Sequence, residues 1–174
     1  MHFRFAILGA LLLSAPLFAL DLKGVEVGQH VDFSQLKAAF DFHPGLGIES
    51  STVRCIGSCG WGYTLIAGGG ADIGVTIDNQ QLLEIRAVFK SIYFESISAA
   101  LVAKFGKPAR ISHANAQTVA GAQLPVIIQT WLGAAGDELV VTNFADGANG
   151  ALVLTSKAEA DAKSARLKKA AGDI

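Results

Sequence analysis

The sequence predicts an α+β domain: an antiparallel sheet of about six to eight strands, two helices on one face, and a further helix at the C-terminus. Three observations lead there. Apolar residues alternate with polar ones in short runs separated by turn chemistry, which is the signature of half-buried antiparallel strands. Two stretches switch to helical period, one carrying Phe33, Leu36 and Phe40, the other Phe94, Ile97, Leu101 and Phe105. Each of these precedes a run of strand candidates, an echo that reads either as two helix-plus-meander units sharing one sheet or as a coincidence any α+β chain shows.

The stretch from Asp72 to Pro108 is the most sharply specified. Ile73, Val75 and Ile77 alternate with Gly74, Thr76 and Asp78, and Leu83, Ile85, Ala87 and Phe89 form a second alternating run. Asp78-Asn79-Gln80-Gln81 between them suits a turn, because Asp and Asn side chains bond their own backbone, so the two runs make a hairpin. The helix that begins near Phe94 should stop at Gly106, a left-handed C-cap, with Pro108 barring continuation.

The N-terminus has the form of a secretory leader. Arg4 supplies a positive start, Phe5–Leu13 is an unbroken apolar run, and cleavage after Ala19 is the preferred site. The run is shorter than the roughly 20 apolar residues that span a bilayer. An uncleaved anchor is the other reading. Assigning 1–19 to the leader leaves 20–156 as the α+β domain and 157–174 as a C-terminal helix or tail.

Within that domain Leu22–Val31 reads as a short strand ending at Gly28. Asp32 is a suitable N-cap for the first helix, with Gln35 completing a capping box and Val31 and Leu36 a hydrophobic staple. His43-Pro44-Gly45 is breaker chemistry, and Gly45–Ser51 follows as a loop. Thr52–Cys55 and Tyr63–Ala67 are strand-like, and Gly68-Gly69-Gly70 punctuates before the hairpin. After Pro108, Ala109–Ser112 suits a short strand and His113–Pro125 a loop. Val126–Leu132, Glu138–Phe144 and Ala151–Ser156 then read as a meander. Ser156 and Glu159 form a second capping box, opening a helix from about Lys157 to Ala171. Its apolar residues are mostly Ala, so it should dock weakly or project.

Formal net charge is −1, so bulk electrostatics gives nucleic acid no footing as a partner. The two cysteines, Cys55 and Cys59, belong to Cys-Ile-Gly-Ser-Cys-Gly-Trp-Gly-Tyr. Gly57-Ser58-Cys59 resembles the run around the nucleophile of papain-like proteases. Ile56 and Gly60 interrupt the match, and His113 lies too near for that family's histidine. Thiol exchange prefers Cys-x-x-Cys, one residue shorter, and His30, His43 and His113 do not stand at zinc-like spacing. A structural disulfide in an oxidising compartment is therefore the expectation, with no metal and no cofactor. The bridged segment must turn back on itself to bring the sulfurs together.

Trp61 and Tyr63 follow that turn. They are the candidate binding residues, because rigid aromatics on a pinned platform are the usual anchors of interfaces. The competing expectation, and the preferred one for the rings themselves, is that both pack into the core beside the bridge. Trp131 is expected in the core and His43 in a solvated turn. No nucleophile elbow or phosphate loop is present, and the glycines at 68–70 precede a strand rather than a helix. Lys163, Arg166, Lys168 and Lys169 suit the C-terminal turns of a helix, where the macrodipole favours cations; contact with anionic lipid is the other reading, and membrane contact beyond the leader is not expected.

Gly24-Val25-Glu26-Val27-Gly28, two residues before a capped helix, resembles the opening of the small envelope modules typified by outer-membrane assembly protein BamE and β-lactamase inhibitor protein. The resemblance covers about Leu22–Phe40. It implies helices on one face of an antiparallel sheet, sometimes in tandem, acting by binding other proteins. The lipid-attachment Cys of the first is absent, and the resemblance transfers no site residue. The expectation is a periplasmic or secreted non-catalytic protein that binds another protein or an envelope component. Its rivals are a carrier with a cavity between helices and sheet, and a hydrolase-type enzyme assembled only in three dimensions from His113, Asp72 or Glu84.

Overall fold

The computed structural model describes residues 19–57, 59–117, 121–145 and 148–172. Of the leader expected over 1–19, residues 1–18 lie outside them. The elements run α1 (Phe33–Phe40), β1 (His43–Pro44), β2 (Cys55–Ile56), β3 (Gly60–Ile66), β4 (Gly69–Asp78), β5 (Gln81–Lys90), α2 (Phe94–Phe105), β6 (Arg110–Gln117), β7 (Gln123–Leu132), β8 (Glu138–Thr142), β9 (Asn149–Thr155) and α3 (Lys157–Gly172). One antiparallel sheet holds nine strands in the order β1-β3-β4-β5-β9-β8-β7-β6, with β2 also beside β4. The fold class is as the sequence predicts. Seven of the strands have five residues or more, and β1 and β2 have two each.

That order has an internal logic. The meanders β3-β4-β5 and β7-β8-β9 meet at their last strands, where β5 pairs antiparallel with β9 through Glu84↔Thr155 to Lys90↔Asn149. α1 precedes the first meander and α2 the second, so two helix-plus-meander units share one sheet. Each helix lies over the outer strand of its own meander. Thr64 Oγ1 donates to the Ala39 carbonyl at 3.1 Å, Ser98 Oγ to Gln129 Oε1 at 2.7 Å, and Trp131 Nε1 to the Gly106 carbonyl at 2.8 Å.

The alternation in the sequence becomes the two faces of this sheet. Ile73, Val75, Ile85, Ala87, Leu152, Leu154, Leu139, Val141 and Trp131 point to the face beneath Leu36 and Phe40 of α1 and Ile97 and Leu101 of α2, in one continuous core. The β4–β5 turn carries left-handed Asn79 and Gln80, the conformation that matches strand twist in a two-residue hairpin. α2 stops at Gly106 as expected, and the Gly106 N–H donates to the Val102 carbonyl, but with φ 78° and ψ −167° the glycine is not the left-handed αL cap the sequence suggested.

Several boundaries differ from the expectations. Leu22–Val31 is not a strand: Lys23 and Gly24 are both left-handed, which folds Leu22 back onto Val25. Its end meets β5 and the turn before it through an isolated His30↔Gln81 bridge and backbone bonds of Gly28, Gln29 and Val31 to Leu82 and Gln80. α1 does end before His43, with Asp41 left-handed at φ 46°, but His43–Pro44, expected as a breaker, is strand β1 against Trp61 and Gly60. β2 begins at Cys55, where the reading placed a strand end, and β3 starts at Gly60, three residues early. Of His113–Pro125, expected as a loop, residues 113–117 belong to β6 and 123–125 to β7, which pair from Arg110↔Thr130 to Gln117↔Gln123. β6 is exposed along nearly its whole length, so it carries no alternating burial for the sequence to display.

Both capping boxes are half-formed. Asp32 accepts from the Ser34 and Gln35 N–H groups at 2.9 and 3.1 Å, while Gln35 Nε2 reaches the Gly24 carbonyl at 2.9 Å. Those bonds hold the Asp32 carboxyl below the ordinary range, the Ser34 hydroxyl contributing most. In the second box Ser156 Oγ accepts from the Glu159 N–H at 3.3 Å, and the Glu159 carboxylate turns to two arginines.

Candidate functional site

α1 and α2 cover one face of the sheet; on the other, α3 meets β5 at Glu84, and the part over β3 and the start of β4 stands open. The disulfide decides how its margin is arranged. Cys55 and Cys59 are bridged with their Cα atoms 5.5 Å apart. β2 and β3 both lie along the same side of β4, Cys55 opposite Ile77 and Gly62 opposite Ile73. The chain therefore runs along β4, breaks out of register at the bridged turn, and rejoins. Gly57 N–H keeps hold of the Val75 carbonyl at 3.0 Å inside that turn. Cys59 is buried, and its carbonyl accepts from Gly45 N–H at 2.7 Å, so the bridge is anchored from both sides.

Beyond the bridge, period two sends Gly62 and Thr64 toward the helices and Trp61, Tyr63 and Leu65 to the open face. Trp61 is 61% exposed and Tyr63 49%, and Leu65 and Ile56 are exposed beside them. The expectation that both rings pack in the core is overturned. Cys59 is buried ahead of the strand, and within β3, which starts at Gly60, the inward-facing Gly62 and Thr64 leave residues 61, 63 and 65 outward. Gly70 opposite Leu65 leaves room for the Tyr63 phenol, which a Cβ there would strike. His43 stacks on Trp61 with ring centroids 4.2 Å apart and planes at 20°. The solvated turn expected for His43 is thus a strand position against an aromatic ring. Sequence reasoning missed this contact, because the pairing of His43 with Trp61 is long-range.

The same face continues across β4 and β5 with Asp72, Gly74 and Thr76 opposite Val88, Arg86 and Glu84. A depression of about 340 Å³ lies there, lined by Ile56, Gly57, Gly74, Thr76, Glu84 and Arg86 among others. The outer edge of β3 pairs with β1 only at Gly60 and Trp61; from Gly62 to Ile66 no other described strand lies on that side. Apolar rings beside a free strand edge suit a protein surface or an extended peptide.

The candidates for an enzyme are not brought together. Ser112 shares the open face with Asp72 along the cross-strand rows, so its neighbour His113 projects from the other face. Glu84 is paired with Lys163 of α3. Among the described residues no group of three His, Cys, Asp or Glu is placed to hold a metal ion. No helix among them is long and apolar enough to cross a membrane.

The most strongly held charge is structural. Glu159, 2% exposed, takes Arg54 Nη2 on Oε2 at 2.7 Å and Arg166 Nη2 on Oε1 at 2.9 Å. Arg54 also meets Asp78 at 3.2 Å. Burial alone raises the Glu159 carboxyl, but the bonds from Arg54 and Arg166 overcome it and hold the group below its ordinary value. The bond to Glu159 likewise raises Arg54. α3 is therefore fastened at its start by Glu159 and Lys163 rather than docked through its alanines, and its later turns are exposed.

Comparison with family models, with curated proteins and with solved structures finds no match to this chain.

Proposed function

We propose that this chain is an exported, non-catalytic protein of the periplasm or secreted space that binds another protein or envelope component through the open face over β3 and the start of β4. The observation that carries the reading is the exposure of Trp61 and Tyr63 on a strand whose start is pinned by the Cys55–Cys59 bridge. A large ring held rigidly at a surface loses little conformational freedom on binding, which is why Trp and Tyr dominate interface energetics. Leu65 and Ile56 enlarge the apolar patch, and Asp72, Glu84 and Arg86 border it with charge. The apolar leader and the disulfide favour export. The tandem helix-plus-sheet layout agrees with the resemblance to small envelope modules. A carrier cavity between helices and sheet is disfavoured, because Leu36, Phe40, Ile85, Ile97 and Leu152 fill that space.

The test is the double variant Trp61→Ala/Tyr63→Ala. Exposed rings leave the core untouched, so the melting temperature should fall by no more than about 3 °C. Binding of a partner captured from envelope extract by the native protein should fall at least about tenfold. Capture retained at native strength, or a collapse in stability, removes the site.

A further inference from the structure

Asp137 closes the turn between β7 and β8, and its carboxylate is in an unusual position. The residue is 7% exposed, and its Oδ1 is the buried side-chain polar atom that has no partner among the described residues. The carboxylate folds over Gly133, where a Cβ would collide with both oxygens. Its other oxygen, Oδ2, accepts from the backbone nitrogen of Leu20 at 3.1 Å, a buried bond across 117 positions of sequence. A buried carboxylate served by one neutral donor is under-compensated and needs a cation. The side chains lining the adjoining cavity of about 340 Å³ include Glu26 and Lys157. Lys157 is committed to Asp161 at 2.7 Å, and Glu26 accepts from Gln29 at 2.7 Å.

Leu20 is also the residue that follows the preferred leader cleavage site. Its side chain is 3% exposed and belongs to the core with Leu22 and Val25, while Ala19 before it is exposed. The segment is held further by Asp21, which pairs with Lys104 and accepts from Gly24 N–H at 2.8 Å. We propose that Asp137 is the docking site of the mature N-terminus, with leader removal converting the Leu20 nitrogen from an amide into the ammonium ion that this buried carboxylate lacks.

The chemistry balances on water. Hydrolysis of the Ala19–Leu20 amide by a leader peptidase consumes one water, leaving a carboxylate on Ala19 and, at neutral pH, an ammonium on Leu20. The amide nitrogen offers one N–H, which Oδ2 already takes. The ammonium offers three and carries a full charge, so it can serve Oδ1 as well and neutralise the site. Because the Leu20 side chain is buried in the folded protein, a peptidase reaches the Ala19–Leu20 bond before this segment folds into place. Processing then completes the fold, and an uncleaved chain carries a buried charge without its counter-ion.

This rests on the export reading and is separable from it. The body should be prepared in three forms: beginning at Leu20 with a free amine, beginning at Leu20 with the amine acetylated, and beginning at Ala19. The free-amine form should melt about 5 °C or more above both others. In Asp137→Asn the three should melt within about 2 °C of one another. Equal melting of the three native-sequence forms overturns the proposal, and that comparison stands even if Asp137→Asn fails to fold. Mass analysis of the protein from its native compartment should show Leu20 as first residue. A different mature start overturns the docking while leaving export intact; an intact leader on a cytosolic pool overturns both.

Discussion

At the scale of single residues, chemistry and position diverge most at Glu159. Its sequence role is the N3 partner of Ser156 in a capping box, yet the side chain abandons the cap for Arg54 and Arg166. Arg54 stands 105 positions away, and nothing local signals that pairing. Breaking a buried pair costs more than forming it gains, because the remaining charges are left without partners. Both arginines are partly solvated, so Glu159→Gln should lower unfolding free energy by about 2 kcal/mol, less than the roughly 3–5 kcal/mol of a fully buried pair, read by urea titration. The pH dependence follows from the direction of the shift. The folded carboxyl lies below its ordinary value of 4.5, so its contribution is complete above that pH and fades as pH falls through the folded value. The native protein should therefore lose more stability than Glu159→Gln on acidification below about pH 4.5. Parallel losses would show that the ion network contributes nothing.

At the scale of elements, the disulfide acts on orientation more than on stability. It closes a loop between positions separated by only four, for which chain-entropy arguments give about 2 kcal/mol at most. Replacing both cysteines by Ala should lower stability by that amount while weakening partner capture about tenfold, because the break between β2 and β3 that aims Trp61 is released. Unchanged capture would show that the strand pairing with β4 alone suffices. The elements themselves were unevenly legible. The β4–β5 hairpin and α2 could be read almost to the residue, since their turn, period and cap are all local signals. β1 could not, because His43–Pro44 has no strand pattern and exists only as a partner to Trp61 and Gly60. β6 could not either, being exposed on both faces. The candidate site was half legible: Trp61 and Tyr63 were recognisable as a pair, but their side of the sheet was not.

At the scale of the whole molecule, the two helix-plus-meander units form a single cooperative body rather than two. Ile85, Ala87 and Phe89 of the first unit face Leu154, Leu152 and Gly150 of the second across the β5–β9 seam, and one core runs beneath both helices. A shared core of this kind should unfold in one step. Far-ultraviolet dichroism of the whole sheet and the fluorescence of Trp131, measured in Trp61→Phe so that only the second unit reports, should give coincident urea transitions. Separated midpoints would mean that the units fold independently. By itself the sequence determined the α+β class, the hairpin, both core helices and the pairing of two nearby cysteines, because hydrophobic period, turn chemistry and short separation are properties of neighbouring residues. Only the tertiary structure decided which sheet face the helices cover, and so that Trp61 and Tyr63 face outward, that Glu159 binds two arginines, and that Leu20 meets Asp137. Each of those depends on contacts between distant positions, whose energies are set by burial and by the partner's charge, and neither is written in the residues alongside.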